Sequence, residues 1–132
     1  MVIRKTMSNM EIYNIATVLV ALHNRMVEEE TAFPVKVNFY FQKNMNSLVD
    51  MAKELDSERN NILMKYGTPS AEDASQIQIP EENVNKANKE LSDLFSLEQE
   101  VAVNAIELDW FDGVSMTAQE VAAITFMIKD EE

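Results

Sequence analysis

The chain has 132 residues, 46% of them hydrophobic, with one tryptophan, three tyrosines, six phenylalanines, two glycines, no cysteine and a formal net charge of −12. That is enough apolar matter for one folded domain over 1–132, and it excludes disulfides, thiolate metal sites, a thiol nucleophile and a glycine-rich phosphate loop. Residues 1–66 hold eight acids and eight bases, whereas residues 67–132 hold fifteen acids and three bases, so the second half repels nucleic acid and anionic membrane and attracts basic proteins.

Arg4 and Lys5 precede an apolar run at 15–22 and imitate a secretion signal, but Asn9, Glu11 and Asn14 interrupt the pattern and no small-x-small cleavage site follows. The run is far shorter than the roughly twenty residues that span a bilayer. The expectation is a cytoplasmic protein with no membrane partner. Ser8 and Glu11 have the spacing of a capping box, which predicts a helix over 9–30 whose Ile12, Ile15, Ala16, Leu19, Leu22 and Met26 recur at helical intervals. Glu28, Glu29 and Glu30 oppose the dipole at its end, so the helix frays or turns away there.

Pro34 suits a first helical position and opens a second helix over 34–66, closed by Gly67. Phe41, Leu48, Leu55 and Ile62 stand at heptad intervals in it and form a seam like that of a coiled coil. The stretch from Val35 to Phe41 alternates apolar and polar residues and also fits a strand. A helix of that length measures about 50 Å, against roughly 35 Å for the diameter of a compact domain of this size. It therefore outruns its own core, and either projects or packs its seam on a second copy as a homodimer; Arg59, in a seam position, weakens the second option.

A polar loop occupies 68–75, a short strand 76–79, and a third helix starts at Pro80 and runs to about 97 with Val84, Ala87, Leu91, Leu94 and Phe95 inward. Residues 101–108 read as a strand that pairs across a turn at 109–113 with a brief strand at 114–116. Thr117 and Glu120 repeat the capping box and start a last helix through Val121, Ile124, Phe126, Met127 and Ile128, before a short acidic tail at 129–132. The expected fold is α+β, predominantly α, with four helices and a small antiparallel β element.

Little in this sequence carries chemistry. His23 lies alone within the first helix, where a histidine reads as packing, and no nucleophile, base and orienting acid assemble around it. Glu107, Asp109 and Asp112 beside Gly113 offer oxygens to a hard cation, yet their spacing matches no EF-hand and a plain turn asks for the same residues. The expectation is no enzyme, no metal and no cofactor. On the third helix Glu82 with Lys86, Lys86 with Glu90, and Lys89 with Asp93 make ordinary i,i+4 pairs. Glu98, Glu100, Glu107, Asp109 and Asp112 are the better candidates for a negative patch, and Trp110 among them serves either as its anchor or as a lid on the core.

Three segments, FPVKVNFYFQKNMNSLVDMAKELDSERNNILMKYG, IPEENVNKANKELSDLFSLEQEVAVNAIEL and MTAQEVAAITFMI, resemble small acidic proteins of unknown function from bacteriophages and prophages of low-GC Gram-positive bacteria. The shared features are a helix that starts near Pro-Val and ends at Lys-Tyr-Gly, and a last helix that ends in Phe-Met-Ile. The resemblance spans about residues 8–128 and implies phage origin, with no activity or catalytic residue to carry over. Two functions fit. One is an acidic, nucleic-acid-mimicking inhibitor of a basic nucleic-acid enzyme, such as a CRISPR nuclease; the other is a virion structural or assembly protein that self-associates through the seam of Phe41, Leu48, Leu55 and Ile62.

Overall fold

A computed structural model describes residues 1–73 and 76–129; residues 130–132 of the acidic tail lie outside the described residues. The fold is α+β and mostly α, with strand β1 (Val2–Ser8), helices α1 (Asn9–Glu28) and α2 (Val35–Tyr66), short strands β2 (Thr68–Pro69) and β3 (Ile77–Gln78), helix α3 (Glu81–Ser96), strand β4 (Glu98–Asn104) and helix α4 (Ala118–Ile124). Short 3-10 turns occupy Leu108–Phe111 and Thr125–Met127. Among the described residues, no helix is long and apolar enough to cross a membrane.

The first departure from expectation is the sheet. Strand β4 does not pair with 114–116. It runs antiparallel to β1 from Val2↔Asn104 to Ser8↔Glu98, uniting the beginning of the chain with a segment near its end. Alternation explains the pairing: Met7, Val101 and Val103 are buried on the inner face, while Val2, Arg4, Thr6, Glu98, Glu100 and Ala102 are exposed on the outer one. Residues 114–116 cannot extend the sheet because Gly113, with φ of 81°, reverses the chain and the Val114 amide closes a turn on the Phe111 carbonyl at 3.0 Å. Val114 and Met116 then pack on the core as loop residues. Past β4, Ile106 bridges to Ile128 instead.

Both capping boxes form. Ser8 Oγ accepts the Glu11 amide at 3.1 Å while Glu11 Oε1 accepts the Ser8 amide at 3.2 Å, and Thr117 with Glu120 repeats the exchange at 3.2 and 2.8 Å. Helix α1 buries Ile12, Ala16, Leu19, Leu22 and Met26. Its acidic end turns away: the Thr31 amide donates to the Met26 carbonyl at 2.8 Å and the Glu30 amide to Val27 at 3.2 Å, with Glu30 at φ of 56° where such a reversal usually carries glycine.

Val35–Phe41 is helical, with Pro34 as the residue before the first turn. The heptad seam of α2 faces the chain's own core, which corrects the expectation that Phe41, Leu48 and Leu55 offer a surface to a second copy. Phe41 and Leu48 are 0% exposed and Leu55 4%, because α1, β4 and the 108–111 turn pack over the same stripe. Ile62 is half-buried, and no residue of α2 beyond Leu55 is buried. The long helix therefore does outrun the core, accompanied there by α3, of which only Ala87 is buried.

Gly67 ends α2 for a different reason than expected. Its backbone is extended rather than left-handed, and what requires glycine is proximity: a Cβ there would lie 2.5 Å from the Gln78 carbonyl oxygen and 2.9 Å from Ile77 Cγ2. The β2/β3 ladder closes directly over that missing side chain. Gly67→Ala is thus expected to cost about 1–3 kcal/mol by overpacking, read as a lowered midpoint in thermal unfolding; an unchanged midpoint would mean that the ladder shifts freely.

Candidate partner-binding surface

Trp110 takes its position from its neighbour. In the 3-10 turn Leu108–Phe111, the buried Phe111 packs edge-on against Phe33 with ring centroids 5.6 Å apart, and Phe33 packs on Phe41 at 4.9 Å. With Phe111 fixed inward, Trp110 emerges half-buried against the first turns of α2. Tyr40 stacks on it at 6.3 Å with 24° between planes, and Lys36 Nζ sits 3.8 Å from the Trp110 ring centroid. Phe39, 55% exposed, meets Tyr40 edge-on at 5.4 Å, and Lys43 Nζ lies 4.7 Å over Phe39. Spacing produces the ladder, since Lys36 with Tyr40 and Phe39 with Lys43 are each four apart on one helix. Cation–π contacts of this kind hold the rings in place by about 0.5–1 kcal/mol each at exposed sites. Trp110 therefore rests partly buried against the core, as the lid reading foresaw.

The acids proposed to share a patch with Trp110 divide into two groups. Asp109 and Asp112 are exposed beside it, and Glu107 is 3.9 Å from Lys129 Nζ. Glu98 starts β4, roughly 20 Å of extended strand before Asn104, and Glu100, about 13 Å before it, is paired to Arg4 at 2.9 Å. Among the described residues of the second half, Glu72, Glu81, Glu82, Asp93, Glu98, Asp109 and Asp112 have no base within 4.0 Å. Fold formation leaves most of the negative charge uncompensated, distributed over the β2/β3 region, α3, the start of β4 and the 108–111 turn.

Elsewhere the ionisable groups are structural. Arg25 on α1 holds Glu120 through Nε to Oε2 at 3.0 Å and Nη2 to Oε1 at 2.8 Å, and its Nη1 reaches Glu29 at 2.9 Å. That guanidinium, with the Thr117 amide, holds the Glu120 carboxyl below its ordinary range despite burial. The Tyr66 hydroxyl and the Lys65 ammonium, 2.9 Å from Oε1, depress Glu90 in the same way. An open groove of about 700 Å³ lies beside them, lined by Lys65, Tyr66, Gly67, Thr68, Gln78, Ile79 and Pro80, and its one charged group is committed to Glu90. His23 Nδ1 meets the Gln42 side-chain amide at 3.0 Å, a contact that joins α1 to α2. No three His, Cys, Asp or Glu side chains among the described residues are placed to hold a metal ion.

Sequence reasoning named Trp110 and its flanking acids but missed Lys36, Phe39, Tyr40 and Lys43. The i,i+4 spacing that builds the ladder was present, and it was masked by the strand-like alternation of the same residues. Compared with family models, with curated proteins and with solved structures, the chain has no match.

Proposed function

We propose that this chain is a phage-encoded, non-enzymatic binding protein that acts in the host cytoplasm, where its acidic second half occupies the nucleic-acid channel of a basic host protein such as a defence nuclease. The observation that carries the reading is the set of carboxylates left without a base, Asp109 and Asp112 above all, because both are exposed and flank Trp110 within one short turn, where the ring stacks on Tyr40. Carboxylates draw a basic partner in over a distance, while a half-buried tryptophan beside them supplies desolvated contact once it arrives. A self-associating assembly role through α2 has less behind it, since Phe41, Leu48 and Leu55 are already packed inside the chain.

The test is capture of partners from infected host lysate at about 0.05 and 0.5 M salt, between which the screening length falls from over 10 Å to a few Å. The expected result is a nucleic-acid enzyme retained at low salt, released at high salt, and lost with Asp109→Asn/Asp112→Asn. Trp110 is the sole tryptophan, so its fluorescence reports the same docking with purified components. Recovery of virion proteins at both salts, or binding indifferent to Asp109 and Asp112, overturns the proposal.

A further inference from the structure

We propose that the Lys36 ammonium occupies the place on the Trp110 ring that a guanidinium of the basic partner takes, so that Lys36 is a built-in competitor setting the affinity of this surface. The inference deepens the reading of Asp109 and Asp112 as partner-binding acids and rests on it. Lys36 stands in the first turn of α2, and its Nζ lies 3.8 Å from the Trp110 ring centroid. No carboxylate among the described residues comes within 4.0 Å of it. A cation at a helix N-terminus works against the helix dipole, and that turn contains no acid to offset it. The ring is what holds Lys36, and at an exposed position such a contact is weak.

Weakness makes the contact exchangeable. Lys36 is exposed, so its side chain can swing into water without disturbing the buried Phe33, Phe41 and Phe111, and the face of the indole that it covers is then open. Tyr40, stacked on Trp110 at 6.3 Å with 24° between planes, stays and holds the ring. A guanidinium suits the vacated face better than an ammonium, because it is planar, more weakly hydrated and stacks on aromatic rings. Asp109 and Asp112, exposed before and after Trp110 in the chain, offer carboxylate oxygens to its N–H fork, and Lys36 pairs with neither. The ring and its acids together select a cationic side chain, and arginine over lysine. Lys43, with Nζ 4.7 Å over Phe39, carries the same charge on the same helix but sits on a different ring, and so separates displacement from simple repulsion.

Titration of the full chain with a hexa-arginine peptide at about 0.05 M salt, followed by the fluorescence of Trp110, the sole tryptophan, tests this. Lys36→Ala is expected to tighten binding about three- to tenfold, Lys43→Ala by under about twofold, and Lys36→Arg, which stacks more firmly on the indole, to weaken it. Both lysines are exposed, so the fold is left alone. In NMR spectra the Lys36 side-chain protons, shifted upfield over the indole in the free chain, should move toward the positions of a solvated lysine as the peptide saturates. Equal tightening by Lys36→Ala and Lys43→Ala, Lys36→Arg binding as tightly as Lys36→Ala, or Lys36 protons that stay shifted in the complex overturns the competitor and leaves the acidic site standing. Peptide binding indifferent to Asp109→Asn/Asp112→Asn overturns the site itself, and an absence of binding overturns both.

Discussion

Asn44→Leu is expected to lower the unfolding free energy by about 2–4 kcal/mol, although it exchanges a polar core residue for an apolar one of similar size. Asn44 is 2% exposed and grips the end of β4 from the side opposite β1. Its Nδ2 donates to the Asn104 carbonyl at 2.9 Å and its Oδ1 accepts the Asn104 amide at 2.8 Å. The side-chain amide thereby supplies the pair of bonds that a further strand would make at that point. Leucine leaves a backbone donor and an acceptor with no partner, and each orphan costs about 1–3 kcal/mol, more than the gain from burying the new methyl groups. Denaturant unfolding followed by circular dichroism measures it. A loss under about 1 kcal/mol would show that water replaces the amide and that Asn44 does not pin α2 to the sheet.

Glu120→Ala is expected to cost about 2 kcal/mol at neutral pH, because it removes the two-pronged Arg25–Glu120 link between α1 and α4 and half of the Thr117 capping box, leaving Arg25 with only Glu29 and the Ser115 carbonyl. Arg25 keeps a side-chain exposure of 32%, so part of the Coulomb energy is screened and the value lies below that of a fully buried pair. Acidity provides the second readout. Arg25 depresses the Glu120 carboxyl below the ordinary 4.5, so its stabilisation is complete above that pH and disappears as pH falls through the lower folded-state value. Glu120→Gln should therefore trail the wild type at pH 7 and approach it under acid. Parallel stability curves from neutral pH down to about pH 3 would refute the assignment.

Elements with a local cause were legible from sequence. Both capping boxes, the starts of α1, α2 and α4, and the excess length of α2 followed from residues within a few positions of one another. What failed was non-local. Nothing near Val2–Ser8 announces that its partner is Glu98–Asn104, and Arg4 and Lys5 gave the segment the look of a charged leader instead of an edge strand. Residues 114–116 have a strand-like composition, but their neighbours are decided by the turn at Gly113 and by the Arg25 side chain, whose Nη2 donates to the Ser115 carbonyl at 3.3 Å. The acidic patch failed similarly: closeness in sequence placed Glu98 and Glu100 near Asp109, and an extended strand then carried them apart. Trp110 was identified from its residue type, whereas its ladder depended on two helical turns that composition alone reads as strand.

Asn9 joins three elements: its Nδ2 caps the Leu94 carbonyl of α3 at 2.8 Å, its Oδ1 accepts from Gln99 at 2.6 Å, and its amide bonds to Leu97 at 2.8 Å. Together with the β1/β4 register, this makes the first nine residues and those from 94 to 105 a single clasp around everything between. Helices of this length can begin to form from local contacts within microseconds, but the clasp closes a loop of nearly the whole chain, whose entropic cost is met before any of its bonds form. A nascent chain on the ribosome would therefore hold α1, α2 and α3 as loosely packed helices until β4 emerges, and the core closes only once Ile106, Phe111, Ile124 and Met127 have followed it.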